Sequence, residues 1–303
     1  MSRILVVDDE ISILELLKDF LEGEGYQVST AGDGVDALGV LEKDPRFDLV
    51  LSDINMPRMK GFEFLSRVEK LYPHIRRVLI TAYNVEDYIT LALKYGVSNI
   101  ITKTTPFNFD EILLLLRNLI DGSIFGLGGY LKQGAAVAKI PVISPQKIHE
   151  YALTPIREMA ITRVTRNLEM VVVELLNNAV YYGIKDMDPE KKEEWNERFT
   201  LAPGEVDLYY GKDDEKCAIA VADNGGKLNK EKVLYWLGRQ MERDNSGLPV
   251  GLYDIHGRGL YISREYVDRL IVNIERRKRT EIISIIYNQE VYKGHKPLLI
   301  NEI

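Results

Sequence analysis

LVLSD, residues 49–53, is an apolar run that stops on a carboxylate, and ILVVDDE, residues 4–10, ends in three successive acids. Short apolar runs bounded by polar turns fit strands buried on both faces, as in a parallel sheet. Outward from these two stretches the chain alternates between strand and helix patterns. Ile11, Leu14, Leu17 and Leu21 recur at helical spacing, and the pattern stops at Gly23 and Gly25. Strand-like Tyr26–Thr30 and a helix over Gly34–Glu42 precede the strand Leu49–Leu51. A helix over Gly61–Leu71, the strand Arg77–Ile80, a helix over Glu86–Tyr95, the strand Val97–Ile101 and a helix over Phe109–Ile120 follow. Five strands alternating with five helices predict an α/β domain built on a doubly wound, five-stranded parallel sheet. Such sheets gather functional side chains beyond the carboxyl ends of their strands.

The length of 303 residues, at about 150 per domain, suggests two domains. A composition of 46% hydrophobic and 28% charged residues excludes a collagen, a disordered tail and a disulfide-rich secreted scaffold. The single cysteine, Cys217, has no intramolecular partner, which fits a reducing compartment. No apolar run reaches the roughly 18 residues of a membrane span, and acids stand where a signal peptide needs an apolar core. The expected setting is cytoplasmic, without a membrane. The net charge of −7 is uneven: residues 1–122 hold 13 basic and 20 acidic residues, whereas 123–303 hold 26 of each. The basic run Arg276–Arg279 lies between two strand-like stretches and reads as a hairpin tip, so no nucleic-acid partner is expected.

Asp8 and Asp9 follow the first strand, Asp53 ends the third, Thr81 ends the fourth and Lys103 follows the fifth. In a doubly wound sheet these ends share one edge. Carboxylates brought together there repel unless a cation joins them, and an all-oxygen ligand set suits Mg²⁺. A carboxylate between a metal and a lysine is placed to attack a phosphoryl group, because both cations neutralise the equatorial oxygens. Asp53, single and central, is the expected nucleophile, and Thr81 offers a hydroxyl to the transferred group.

The stretches VVDDE, LSDINMPRMKGFEFL, Thr81-Ala82 and ITK ending at Lys103 resemble the response-regulator receiver domain over about residues 1–122. The resemblance implies that Asp53 accepts a phosphoryl group from a histidine kinase or a phosphotransfer protein. It implies that Asp8, Asp9, Asp53 and the backbone carbonyl of Asn55 hold Mg²⁺. Two positions depart from the family pattern. An aromatic residue usually stands three before the lysine, where this chain has Ile100, and Thr104-Thr105 intervene between Lys103 and Pro106. These departures predict that the usual aromatic switch is replaced and that the signal leaves through another surface.

Residues 123–145 are rich in glycine and poor in charge, the composition of a linker, although their apolar members suggest packing. A second domain is expected over 146–303. Its long helical stretch, Arg163–Tyr182, places Glu174 and Asn178 four residues apart on one face. EVDLYYG and KCAIAVAD alternate like paired antiparallel strands, and AIAVADNGG ends in Asp223, Gly225 and Gly226. Asp223 can accept from an exocyclic amine such as that of adenine. HGRGLYISREYV sets Gly257 and Gly259 at the start of a helix, where backbone N–H groups suit phosphate oxygens. Residues 226–256 read as a charged, mobile loop, and Arg239 and Arg243 within it as solvated charges.

In this order, the three stretches resemble the N, G1 and G2 boxes of the GHKL (Bergerat-type) ATP-binding α/β sandwich, and GRGLYISREYVDRL is most similar to the anti-sigma-factor serine kinases. The resemblance implies ATP and Mg²⁺ as cofactors, with Asn178 on the metal. Asp223, Gly225, Gly257 and Gly259 would lie on the nucleotide, with Glu174 as general base toward a serine or threonine hydroxyl. It implies a STAS-type anti-sigma antagonist and a sigma factor as downstream partners, and a homodimer. Lys227 stands where the last glycine of the G1 box is expected. That substitution keeps open an alternative output, a protein-sequestering module with a degenerate, non-catalytic nucleotide site. His149, in HEYALTP, resembles a histidine-kinase phosphoacceptor motif, but only 29 residues separate it from Asn178, too few for a dimerisation helix pair. His256 beside the phosphate loop reads as loop packing.

Overall fold

The computed structural model describes residues 1–161, 165–187, 199–251, 257–289 and 292–303. The chain divides into two compact units, one of Met1–Ser123 with Tyr292–Leu299 and one of Ile124–Val291 with Ile300–Ile303. Among the described residues, no helix is long and apolar enough to cross a membrane.

In the first unit, β1 (Arg3–Val7), β2 (Gln27–Ala31), β3 (Leu49–Asp53), β4 (Arg76–Thr81) and β5 (Asn99–Thr102) form a parallel sheet in the order β2-β1-β3-β4-β5. Every residue of β3 is buried, as a central parallel strand requires. The intervening helices are α1 (Ile11–Gly23), α2 (Gly34–Lys43), α3 (Gly61–Leu71), α4 (Ile89–Tyr95) and α5 (Phe109–Asp121). The strand order reverses between β1 and β3, so right-handed crossovers send the helices to opposite faces. Phe20 of α1 and Phe109 of α5 lie with ring centroids 4.5 Å apart, while α3 packs between α2 and α4. Asp33 caps α2 by accepting from Val35 N and Asp36 N, and Asn108 caps α5 by accepting from Glu111 N. Gly61 opens α3 directly against the end of β3, where a Cβ would overlap the carbonyl oxygen of Asp53. The doubly wound sheet read from the sequence is the sheet observed.

The outer edge of β5 is also paired. Leu298 and Leu299 run antiparallel to Ile100 and Asn99, and both leucines are buried. They begin β11 (Leu298–Glu302), a strand with no counterpart in the sequence reading.

The second unit holds an antiparallel sheet ordered β9-β10-β8-β7-β6, from β6 (Val137–Pro141), β7 (Val206–Lys212), β8 (Lys216–Asp223), β9 (Arg269–Glu275) and β10 (Arg279–Tyr287). Its helices are α6 (Ile148–Glu158), α7 (Thr165–Asn177), α8 (Lys230–Met241) and α9 (Arg258–Tyr266). Leu168, Val171, Val172, Leu175 and Leu176 bury one stripe of α7, each contributing about 1.5–3 kcal/mol of transfer free energy. The helix continues as a π-helical segment, Asn178–Ile184, in place of the regular helix expected to Tyr182. Arg276–Lys278 turn between β9 and β10, as read.

Two expectations for this half need correction. Residues 123–145 pack as their apolar members suggested, with Ile124, Leu127, Tyr130, Leu131 and Val142 buried, but they are not all linker: 137–141 form a strand paired with β7. Glu281, on the sheet face away from Ile282, is buried and accepts from Gly126 N at 3.0 Å. Asn273 donates to Glu281 at 3.1 Å and to Ile124 O, while accepting from Asn301 at 2.8 Å. Burial raises the Glu281 carboxyl above its ordinary value, against these donors. Polar groups on a buried strand face thus hold the glycine-rich stretch by hydrogen bonds that composition does not reveal. The second correction is α8, twelve residues inside the expected loop, which buries Val233, Leu234 and Leu237.

Gly61→Ala should destabilise the first unit by about 1–3 kcal/mol, because α3 must retreat from Asp53 O. Denaturant unfolding followed by a probe in the first unit checks this; an unchanged midpoint contradicts the close approach.

Candidate functional site

The carboxyl ends of β1, β3 and β5 converge on one ammonium group. Lys103 Nζ lies 2.8 Å from Asp8 Oδ2, 2.7 Å from Asp53 Oδ1 and 3.8 Å from Glu10 Oε1. Register explains the meeting: Val7 pairs with Ser52, Asp53 with Ile80 and Thr81 with Thr102. Asp53 Oδ2 accepts from Asn55 N at 2.6 Å, and Asp8 Oδ1 accepts from Glu10 N at 3.0 Å. Thr81 is fully buried; its Oγ1 accepts from Tyr83 N at 3.1 Å, and its carbonyl accepts from Lys103 N at 2.7 Å. Asn55 donates its side-chain amide to Tyr88 Oη at 2.7 Å, leaving its backbone carbonyl as the local acceptor.

Burial raises the Asp8 carboxyl, and the nearby charge of Asp53 adds to the rise; the Lys103 ammonium and Glu10 N–H oppose it. Burial alone would lower the Lys103 ammonium, but its bonds to Asp53 and Asp8 carry it above its ordinary value. Two carboxylates therefore share one cation, and the edge keeps net negative charge. Hard oxygen donors with surplus charge fit a hard divalent cation such as Mg²⁺. Asp9 is exposed on the same loop, and no group of three His, Cys, Asp or Glu side chains is drawn into a metal-ligating cluster among the described residues. Of the expected set, Asp8, Asp53, Thr81 and Lys103 are brought together; Asp9 stands to the solvent side.

In the second unit, three sequence stretches meet around one cavity of about 450 Å³. Glu174 from α7, Asn178 from the π-helical segment, Asp223 from the end of β8, and Gly257 and Gly259 at the start of α9 all line it. The floor is formed by cross-strand neighbours: Asp223 pairs with Thr280, and Val221 with Ile282. A Cβ on Gly259 would come within 2.9 Å of Glu174 Oε2 and 3.4 Å of Asn178 Nδ2, so both side chains face the start of α9. Gly257, at the N-cap of α9, adopts φ +80°, and no side chain caps that end among the described residues. Asp223 is buried and its carboxyl is pushed up to about 7 by that burial, against the N–H of Gly225 at 3.0 Å.

Gly225 lies behind the cavity, where a Cβ would overlap Gly183 O; its part is to let the π-helical segment close on Asp223. Asp186, Lys232, Trp236 and Thr280 line the cavity and carried no motif signal in the sequence. Lys227 Nζ lies 2.8 Å from Asp186 Oδ2 at the rim. His149 is exposed and 3.4 Å from Glu169, away from the cavity lining. Arg239 and Arg243 are also absent from the lining, and His256 lies outside the described residues.

Residues 4–117 match the family model described as the response regulator receiver domain. The sporulation initiation phosphotransferase F of Bacillus subtilis (strain 168) is 39% identical over 111 residues, 37% of this chain and 87% of that protein. The transcriptional regulatory protein ZraR of Klebsiella oxytoca is 41% identical over 117 residues, 39% of this chain but only 26% of ZraR. The chain thus spans about a quarter of ZraR. Among solved structures, the response regulator protein TrrA of Thermotoga maritima in complex with Mg²⁺ and BeF is 37% identical, covering 39% of this chain and 99% of that chain, with a TM-score of 0.36. The family model and the likeness to the sporulation phosphotransferase agree with the strand order and the converging acid–lysine edge, and through residues 4–117 the chain belongs to the response regulator receiver domain family.

Proposed function

We propose that this response regulator takes a phosphoryl group on Asp53 from a histidine kinase or phosphotransfer protein and thereby controls a GHKL-type ATP-binding domain, residues 146–303. The output we infer is transfer of the ATP γ-phosphoryl group to a serine or threonine of a protein partner, in the manner of the anti-sigma kinases. A STAS-type antagonist is the expected acceptor and a sigma factor the second client.

For the first step, Asp53 supplies the attacking oxygen and Lys103 already lies against its Oδ1. The ammonium would neutralise a phosphoryl oxygen, and the buried Thr81 hydroxyl would bond another. Asp8, Asp9, Asp53 and the Asn55 carbonyl would hold Mg²⁺, which when bound supplies positive charge to the phosphoryl oxygens.

The observation that carries the output reading is the convergence of residues 174–178, 223 and 257–259 on one cavity. An ionised Asp223 would accept from an amine of the base, the start of α9 would receive phosphate oxygens, and Asn178 would bring an amide oxygen to a metal without added charge. Glu174, facing Gly259, would take the proton of the acceptor hydroxyl. The sequestering module without catalysis is favoured by the Lys227–Asp186 ion pair at the cavity rim, where the motif expects a glycine.

Two outcomes test these assignments. A small phosphodonor should label the wild-type chain but not Asp53→Asn, with mass spectrometry reading the modification; retained label on the variant removes Asp53 as acceptor. A fluorescent ATP analogue should bind saturably, and about tenfold tighter at pH 8 than at pH 6, because the Asp223 carboxyl near 7 must be ionised to accept from the base. The same shift has the opposite sign for stability. The folded state holds its proton to higher pH than the unfolded state, so stability falls as pH rises from about 4 through 7. Asp223→Asn should flatten both profiles. Binding without transfer to any serine-bearing partner favours the sequestering module, and no saturable binding excludes the nucleotide site.

A further inference from the structure

We propose that the outer edge of β5 is a strand-docking surface whose ligand is residues 292–299 of this same chain, and that phosphoryl loading of Asp53 loosens that pairing. The proposal rests on Asp53 as phosphoacceptor. It assigns the exit route of the signal within the first unit.

The pairing holds both flanks of Lys103. On one side, Thr102 Oγ1 donates to His295 O at 2.8 Å. On the other, Thr105 N donates to Lys293 O at 2.8 Å and Lys293 N donates to Thr105 O at 3.1 Å, a complete antiparallel bridge. Gly294 lies over Thr104, where a Cβ would come within 3.1 Å of Thr104 Cγ2. Further along, Leu298 and Leu299 pair with Ile100 and Asn99 and are buried. The loop is internally stiff: Thr104 Oγ1 donates to Pro106 O at 2.7 Å and accepts from Asn108 N at 3.1 Å. Lys103 is thus bonded through its side chain to Asp53 and Asp8, while its neighbours on both sides are bonded to one segment.

The chemistry gives the direction. In the unloaded state Lys103 Nζ reaches Asp53 Oδ1 directly, and Thr81 Oγ1 is occupied by Tyr83 N. A phosphoryl group on Asp53 places new oxygens between Asp53 and Lys103 and gives the Thr81 hydroxyl an acceptor for its own proton, which draws Thr81 toward the site while Tyr83 N still donates to Oγ1. Lys103 must then move its ammonium off Asp53 Oδ1, and its backbone is already tied to Thr81 O at 2.7 Å. A shift of either residue is felt at Thr102 and Thr105, where the segment is held. The three positions departing from the receiver pattern, Ile100, Thr104 and Thr105, are also three of the positions that meet residues 293–298. From Ile300 onward the same segment belongs to the second unit, where Asn301 donates to Asn273.

The test is amide hydrogen exchange on the full chain, with and without beryllofluoride and Mg²⁺, with ¹⁹F NMR to verify loading. Protection of the Lys293 and Thr105 amides should fall about fivefold or more on loading. By reciprocity, Thr102→Val and Lys293→Pro, each removing one bond to the segment, should tighten beryllofluoride binding about two- to tenfold, the range of a single hydrogen bond. Two variants at separate points guard against a local folding defect in either. Loading with unchanged or increased protection at both amides overturns the proposal, as does unchanged beryllofluoride affinity in both variants. Failure of wild-type Asp53 to load overturns the phosphoacceptor reading, and the coupling with it.

Discussion

One ammonium group, Lys103 Nζ, organises the end of the parallel sheet. It is largely buried, and so are the carboxylates of Asp8 and Asp53 that it touches. Separating such a pair would strand a charge in a low dielectric, which typically costs about 3–5 kcal/mol. The ends of β1, β3 and β5 are therefore tied to one point, and neighbouring details follow from that tie. Gly61 lacks a side chain because α3 must begin against Asp53 O. Thr81, fully buried, accepts at its carbonyl from Lys103 N, which ties the end of β4 to the same residue. Because two carboxylates share one cation, the site remains short of positive charge, and a phosphoryl group with its metal would engage that imbalance.

The second unit solves a different problem, that of placing polar groups on both faces of one sheet. Alternation along β10 sends Thr280 and Ile282 to the cavity and Glu281 to the opposite face, where Asn273 and Gly126 N meet it. Among the described residues no cation offsets the burial of Asp223, opposite Thr280, and its carboxyl is pushed up to about 7. Cavities that carry an acid in this condition favour ligands that bring a donor to it.

Most of the first unit was legible because its signals are local. Apolar runs ending in acids, and Ile11, Leu14, Leu17 and Leu21 at helical spacing, depend on neighbours a few residues away. Asp8, Asp53, Thr81 and Lys103 were legible for the same reason, since a strand end is a local event and the sheet brings the ends together. The cavity residues Glu174, Asn178, Asp223, Gly257 and Gly259 were readable only as spaced motifs. What escaped depends on remote partners. Residues 124–131 look like linker until Asn273 and Glu281, some 150 positions later, supply their bonds. The helix α8 was hidden by Lys230, Lys232 and Arg239, solvated charges that dilute its narrow apolar stripe. The strand over 298–302 has a pattern too short to read, and its partner on one side lies about 200 residues earlier.

Position 100 draws these strands of reasoning together. Read locally, Ile100 is only the absence of an aromatic ring. In the structure it is fully buried and paired with Leu298, so its outer side is already covered by another strand. A β-branched aliphatic side chain packs well on such a doubly flanked strand, and a ring that must swing in and out would break contact with Leu298 at each swing. The same covering explains the two threonines after Lys103. Thr104, at the place directly after the lysine, lies against Gly294 and uses its hydroxyl to bond Pro106 O and Asn108 N, which a proline there could not do, and this positions Thr105 to complete the bridge to Lys293. Loss of the aromatic residue and displacement of the proline are thus one structural change, the replacement of a free strand edge by an edge that carries part of the chain.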